Sequence, residues 1–229
     1  MNPRLVLATH NPGKVAEVIH ILRDEPTLSD LDQTSVVRAA HFGVAPPIED
    51  GATFAENALI KARALSHATG LPAVADDSGL AVDIMGGAPG IFSARWCGHH
   101  GNDAANLALL LGQLAEHTDV GQRRAKFICA AALVTPDGEE TVCVGEMPGH
   151  LTTEARGGYG FGYDPIFIPD NQPTDVIRTS AELTPDEKNS ISHRAQAFRA
   201  LAPAIVAALS HQSAAAYSPI PEAPANQDE

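Results

Sequence analysis

Apolar positions along the chain follow two different periods. The short run at 4–8, Arg4-Leu5-Val6-Leu7-Ala8, predicts a buried strand. Val15, Val18, Ile19 and Leu22 then recur at helical spacing, with Asn11 placed as an N-cap and Pro12 as first helical residue. The stretch 26–47 is less regular, and Val36, Val37 and Phe42 predict a strand without defined ends. Thr53 and Glu56 have capping-box spacing for a helix that continues through Leu59, Ala62 and Leu65 to Gly70. The run 71–75 predicts a second buried strand, ending abruptly in Asp76-Asp77-Ser78-Gly79. Leu107, Leu110, Leu111 and Leu114 mark a helix over 103–117. Segments 125–134 and 140–147 read as a hairpin closed at Thr135-Pro136-Asp137-Gly138. Thr184 and Glu187 form a second capping box for a short helix carrying Lys188. Ser192 caps a last helix, where Phe198, Leu201, Ala202, Ile205 and Leu209 share a face and Pro203 predicts a kink. From about Ser210 periodicity is lost, so the expected organisation is one domain over 1–209 and a disordered tail over 210–229.

Composition narrows the function classes. A net charge of −13 argues against a general nucleic-acid binder, and with it against an RNA-binding module. An anionic substrate then needs a local basic cluster or a divalent cation. No apolar run approaches the ~20 residues of a membrane span, and the early first strand leaves no signal peptide. Cys97, Cys129 and Cys143 are odd in number and lack CxxC spacing, which points away from structural zinc or disulfides and toward a reducing cytoplasm.

The polar residues that interrupt the pattern carry the chemistry. Thr9, His10, Asn11, Pro12, Gly13 and Lys14 lie at a helix N-terminus, where free N–H groups, a hydroxyl and a cation suit phosphate; the glycine spacing of a Walker A loop is absent. Asp76 and Asp77 follow a strand, and adjacent residues of an extended chain face opposite ways. One of them then faces a cleft while the other ties down the turn; the plainer alternative is an Asx-turn finished by Gly79. Glu49, just before a helix, reads as a cleft acid or an exposed loop acid, and Lys61, inside that helix, as a solvated residue. Arg95 is placed to reach a phosphate, Trp96 reads as core, and Cys97, His99 and His100 read as a surface loop rather than a metal site. The segment 157–167 joins glycines that allow close backbone approach to Phe161 and Tyr163, which offer a stacking face. Three chemical kinds result: Lys14, Lys188 and Arg194 suit phosphates; Glu49, Asp76 and Asp77 suit Mg²⁺; Phe161, Tyr163, Asp164, His193 and Arg194 suit a heterocycle.

Five of these motifs occur in one order: Thr9-x-Asn11-x-x-Lys14, Ala75-Asp76-Asp77-Ser78-Gly79-Leu80, Gly87-Ala88-Pro89-Gly90, Phe161-Gly162-Tyr163-Asp164-Pro165, and Glu187-Lys188 to Ser192-His193-Arg194. In this the chain resembles the non-canonical purine nucleoside triphosphate pyrophosphatases, the inosine/xanthosine triphosphate house-cleaning enzymes, over residues 4 to 208. The resemblance implies an elongated α/β fold, a mixed sheet with flanking helices in two lobes and the site in the cleft between them. It also implies Mg²⁺, a homodimer, and hydrolysis between the α and β phosphates of ITP, dITP or XTP. Thr9 to Lys14 would hold the triphosphate, Glu49 and Asp77 the metal, and Asp77 would accept the proton of the attacking water. Ser78 would contact substrate, and Phe161, Gly162, Tyr163, Asp164, Lys188, His193 and Arg194 would surround the nucleoside. The chain departs from the pattern at Trp96, where tyrosine is usual, at Ala195, where glycine is common, and in the length of the 26–47 connection and the acidic tail. The competing class is a purine-nucleotide sensor without turnover, which the full set of carboxylates disfavours.

Overall fold

The computed structural model describes residues 3–9, 12–172 and 176–215, with backbone only for 12–14 and 212–215. The chain opens with β1 (Leu5–Leu7), all of it buried, followed by α1 (Pro12–Leu22). The helix thus starts at the proline that the sequence places there. β2 (Val36–Arg38) pairs in parallel with β1, as a helical crossover requires. Phe42 lies outside this strand, at the end of a 3₁₀ turn (Ala39–Phe42). α2 (Phe54–Thr69) is capped by Thr53 Oγ1, which accepts from the Glu56 amide at 3.1 Å. Glu56 reaches back one residue further than a capping box requires and accepts from the Ala52 amide at 2.6 Å.

β3 (Ala73–Val82) overturns one sequence expectation. The chain does not turn at Asp76-Asp77-Ser78-Gly79; it stays extended through all four. The reason is long-range: β4 (Arg124–Val134) pairs antiparallel with β3 over its whole length, from Ala73↔Val134 to Val82↔Ala125. β4 and β5 (Glu140–Leu151) form the expected hairpin, and β6 (Phe167–Pro169) adds at the edge. Among the described residues the sheet has six strands, in the order β2-β1-β3-β4-β5-β6. β1 pairs with β3 only at Val6↔Ala73 and Leu7↔Val74. Beyond Val74 that edge of β3 is open, and farther along the 3₁₀ segment Gly90–Arg95 covers it, with Ser93 Oγ accepting from the Leu80 amide at 2.9 Å.

The sheet floors two cores. Period two places Val74, Asp76, Ser78, Leu80 and Val82 on one face of β3. Val74 belongs to a cluster built from β1, α1 and α5 (His193–Ala215). Leu80 and Val82 belong to another, with Leu110 of α3 (Asp103–Gln113), Phe127, Met147, Tyr163 and Phe167. Asp76 and Ser78 fall in the polar gap between the two, which is the cleft. The opposite face is lined by alanines, where Ala58 and Ala62 of α2 pack on Ala75, Ala130 and Ala132. Arg123 is fully buried and closes the second lobe by donating to the carbonyls of Leu151 (2.9 Å), Leu114 (3.0 Å), His117 (2.9 Å) and Thr152 (2.6 Å).

α4 (Pro185–Ile191) carries a complete capping box, with Thr184 and Glu187 bonding each other's backbone. α5 begins at Ser192, whose Oγ accepts from the Ala195 amide at 3.1 Å. Pro203 sits inside α5 without ending it, and the helix continues past Ser210 to Ala215, beyond the expected start of the tail; 216–229 lie outside the described residues. The start of α5 rests directly on β5 at Gly145. A Cβ at that glycine would overlap the His193 carbonyl and the Ala197 amide.

Gly145→Ala therefore tests the seating of α5. Alanine is ordinarily the better strand residue, yet here its methyl forces the helix outward. We expect a loss of ~1–3 kcal/mol, the usual range for overpacking, in denaturant unfolding. A midpoint equal to wild type or above it would refute the contact.

Candidate active site

The end of β1 delivers the first group of site residues. The Ala8 amide donates to the Val74 carbonyl at 2.8 Å, holding Thr9 beside β3, and α1 begins three residues on. Thr9 is buried and lines one hollow together with Glu49, Lys61 and Asp76. His10 and Asn11 lie outside the described residues, and the side chains of Pro12, Gly13 and Lys14 are not described; the backbone of 12–14 forms the first turn of α1.

Asp76 and Asp77 face opposite ways, as the extended backbone demands, and each meets a different helix. Asp77 faces α2. Its Oδ2 accepts from Asn57 Nδ2 at 3.2 Å and its Oδ1 from Lys61 Nζ at 3.2 Å. Lys61 Nζ also reaches Glu49 Oε2 at 3.1 Å, so one ammonium bridges both acids. Asn57 and Lys61 are four residues apart on α2 and share a face. Asn57 is buried, and its Oδ1 accepts from the Gly51 amide at 2.9 Å, which ties the loop bearing Glu49 to Asp77. Burial holds the Asp77 carboxyl above the usual carboxylate range, and Lys61 and Asn57 offset this only in part. For Lys61, burial works against the charge, but Asp77 and then Glu49 outweigh it and raise the ammonium above the ordinary lysine value. Lys61 is thus not the solvated residue that the sequence suggests; its side chain is 14% exposed.

Asp76 faces α5. Arg194 Nε and Nη2 both donate to Asp76 Oδ2 at 3.2 Å, Nη2 also to Ser78 Oγ at 3.2 Å, and Nη1 to Glu17 Oε1 of α1 at 3.5 Å. Both side chains of the pair are almost wholly buried, and Asp76 and Glu17 overcome burial to raise the guanidinium pKa. Asp76 is therefore committed to an ion pair.

Beyond Arg194 lies a second hollow, lined by Ser78, Phe127, Phe161, Gly162, Tyr163, Asp164, Lys188, His193 and Arg194. Buried Asp164 organises it, accepting from the Phe161 amide at 2.9 Å and from Lys188 Nζ at 2.5 Å. The capping box of α4 fixes where Lys188 points. Phe161 is 56% exposed, with Lys188 Nζ 5.1 Å and the Arg194 guanidinium carbon 6.0 Å from its ring centre. The Gly162 amide donates to Asp103 Oδ2 at 2.9 Å. Tyr163 is buried, with its hydroxyl donating to the Ser93 carbonyl at 2.9 Å, so it forms a wall, and burial raises its pKa. His193 stacks on Phe127 at 5.0 Å and 11°.

Of the predicted residues, Thr9, Glu49 and Asp76 line one hollow, with Lys61 beside them, and Ser78, Phe161, Gly162, Tyr163, Asp164, Lys188, His193 and Arg194 line the other; Asp77 lines neither and meets the first through its contact with Lys61. Arg95 is not among their lining residues: it lies over Phe92, 3.3 Å from His100. Trp96 is half-buried against the second core. Among the described residues no group of three or more His, Cys, Asp or Glu is placed to hold a metal, and His99 and His100 are exposed. Glu49 and Asp77 nonetheless fit Mg²⁺. That ion needs only one or two carboxylates when phosphates and water complete its shell, and the Lys61 ammonium already stands as a cation between these two. Sequence reasoning missed Asn57, Lys61 and Glu17. The available signal was that Asn57 and Lys61 interrupt the Ala58, Ala62, Leu65 stripe of α2.

Residues 5–204 match the Ham1 family model. A dITP/XTP pyrophosphatase of Streptomyces coelicolor is 56% identical over 203 residues, covering 88% of this chain and 96% of that protein. One from Bifidobacterium longum is 47% identical over 252 residues, covering 90% and 99%. A HAM1 protein from Coxiella burnetii has the same fold, with TM-score 0.77 at 40% identity, covering 90% of this chain and all of that one. With the motifs in register and the family match running through both lobes, the chain belongs to the Ham1 family.

Proposed function

We propose that this protein hydrolyses the triphosphates of inosine, deoxyinosine and xanthosine to the monophosphate and pyrophosphate. The observation that carries the reading is the adjacency of two unlike hollows. One holds acids, a lysine and the Thr9 hydroxyl; the other holds an exposed aromatic ring and hydrogen-bond donors; the Asp76–Arg194 pair joins them. A nucleoside triphosphate has this same division. The names of the relatives, dITP/XTP pyrophosphatases, support the choice of substrate.

On this reading Thr9 and residues 10–14 receive phosphate oxygens. Glu49 and Asp77 would hold Mg²⁺, which when bound would neutralise phosphate charge and polarise the anhydride. Asp77 takes the proton of the attacking water, a role for which a carboxylate held in place by Asn57 and Lys61 is suited. Phe161 stacks on the base. Arg194 and His193 present donors to the 6-oxo group of hypoxanthine or xanthine, where adenine carries an amino donor. Arg194 is fixed by Asp76 and Ser78, so it cannot withdraw to accommodate adenine. A homodimer and a cytoplasmic place of action belong to the same proposal, the latter supported by three free cysteines. No described helix is long and apolar enough to cross a membrane.

Asp77→Asn should melt near wild type yet lose ~10²–10⁴-fold in pyrophosphate release, the usual contribution of a positioned base. Turnover within a factor of about three of wild type would take Asp77 out of the proton-transfer role.

A chelator should abolish release, and added Mg²⁺ should restore it. Full activity in excess chelator would remove Glu49 and Asp77 from the metal role.

Arg194→Ala should lower turnover of inosine triphosphate far more than the residual turnover of ATP, because a mismatch at a paired site is worth up to ~10⁴-fold. The ratio of the two rates is the readout, since it is independent of how much of the variant folds. Equal proportional loss would make Arg194 a phosphate ligand or a purely structural residue.

A further inference from the structure

We propose that Lys61 is the internal counter-ion of the divalent-metal site, neutralising Glu49 and Asp77 when the site is empty and displaced by the entering cation. This rests on the reading that those two acids hold Mg²⁺.

The geometry is that of a cation site held by a tethered cation. Lys61 Nζ lies 3.1 Å from Glu49 Oε2 and 3.2 Å from Asp77 Oδ1. The three side chains are 14%, 32% and 17% exposed, so water screens them poorly. Asn57 holds the backbone near Glu49 close to Asp77, because it bonds both Asp77 and the Gly51 amide. Two fixed carboxylates in a partly dry site repel each other unless a cation lies between them. An ammonium on a flexible four-carbon stem can fill that place and also leave it, which a rigid guanidinium fork does less readily. The arrangement has two opposed consequences. Lys61 stabilises the metal-free protein, and it weakens metal binding, because a divalent ion must enter against a resident positive charge.

The test uses the full chain without nucleotide. Mg²⁺ binding is measured by calorimetry, and melting is followed with and without Mg²⁺, for wild type and Lys61→Met, which keeps the stem and removes the charge. The expected result is a lower melting temperature for metal-free Lys61→Met, Mg²⁺ bound ~10-fold more tightly or better, and a larger Mg²⁺-induced rise in melting temperature. Equal or weaker binding by the variant, with wild type binding normally, would overturn the counter-ion role alone. A wild type that takes up no Mg²⁺ without nucleotide would overturn this proposal, while the metal reading itself stands or falls separately on the chelator experiment above. Should Lys61→Met not fold, ¹³Cε-lysine spectra of wild type decide. The chain has four lysines, Lys14, Lys61, Lys126 and Lys188. The signal missing from Lys61→Arg should shift saturably with Mg²⁺ at the calorimetric midpoint, and a signal indifferent to Mg²⁺ would refute displacement.

Discussion

The buried pair between Asp76 and Arg194 is the constraint on which the cleft depends. Both charges are removed from water, so neither is tolerable alone, and breaking such a pair costs several times more than its net contribution to stability. The pair makes the middle of β3 and the start of α5 adopt one relative position. Glu17 joins α1 to the same guanidinium, and Ser78 occupies its remaining edge. Three elements from distant parts of the chain therefore meet at one planar group. Gly145 permits this meeting, since any side chain there would lift α5 away from the sheet.

The opposite face of β3 has a parallel arrangement with different purpose. There the helix is α2, the acid is Asp77, and the partner is a lysine shared with Glu49 rather than an arginine held in a fork. The fork fixes geometry, whereas the ammonium leaves the acids available to a stronger cation. Neighbouring aspartates thus receive separate tasks from the period of the strand alone.

Much of this was legible in the sequence wherever local rules decide. Pro12 starts α1, Thr53 and Thr184 cap their helices, Gly70 ends α2, and the 135–138 turn closes a hairpin, because each depends on a few adjacent residues. The acids and aromatics of the cleft were also visible, since those residue types are out of keeping with their apolar surroundings. What was hidden depends on distance along the chain. The Asp76-to-Gly79 stretch looks like a turn until β4, some fifty residues later, supplies its ladder. Lys61 looks solvated until Glu49 and Asp77, 12 and 16 residues away, enclose it. Asp76 looks like a third acid for Mg²⁺ until Arg194, 118 residues on, pairs with it.

The unbroken floor of the cleft has a mechanical consequence. β3, β4 and β5 are 10, 11 and 12 residues long, and their ladders run without interruption beneath both lobes. Lobes joined by loops swing about a few backbone torsions. Lobes that share a sheet can approach only by changing its twist, and every rung of the ladder resists. The shared sheet thus sets the path along which the lobes approach each other. Adjustment to a bound molecule then belongs to the rim, formed by the connecting segments 157–163 and 46–52, and to the side chains that project from the sheet.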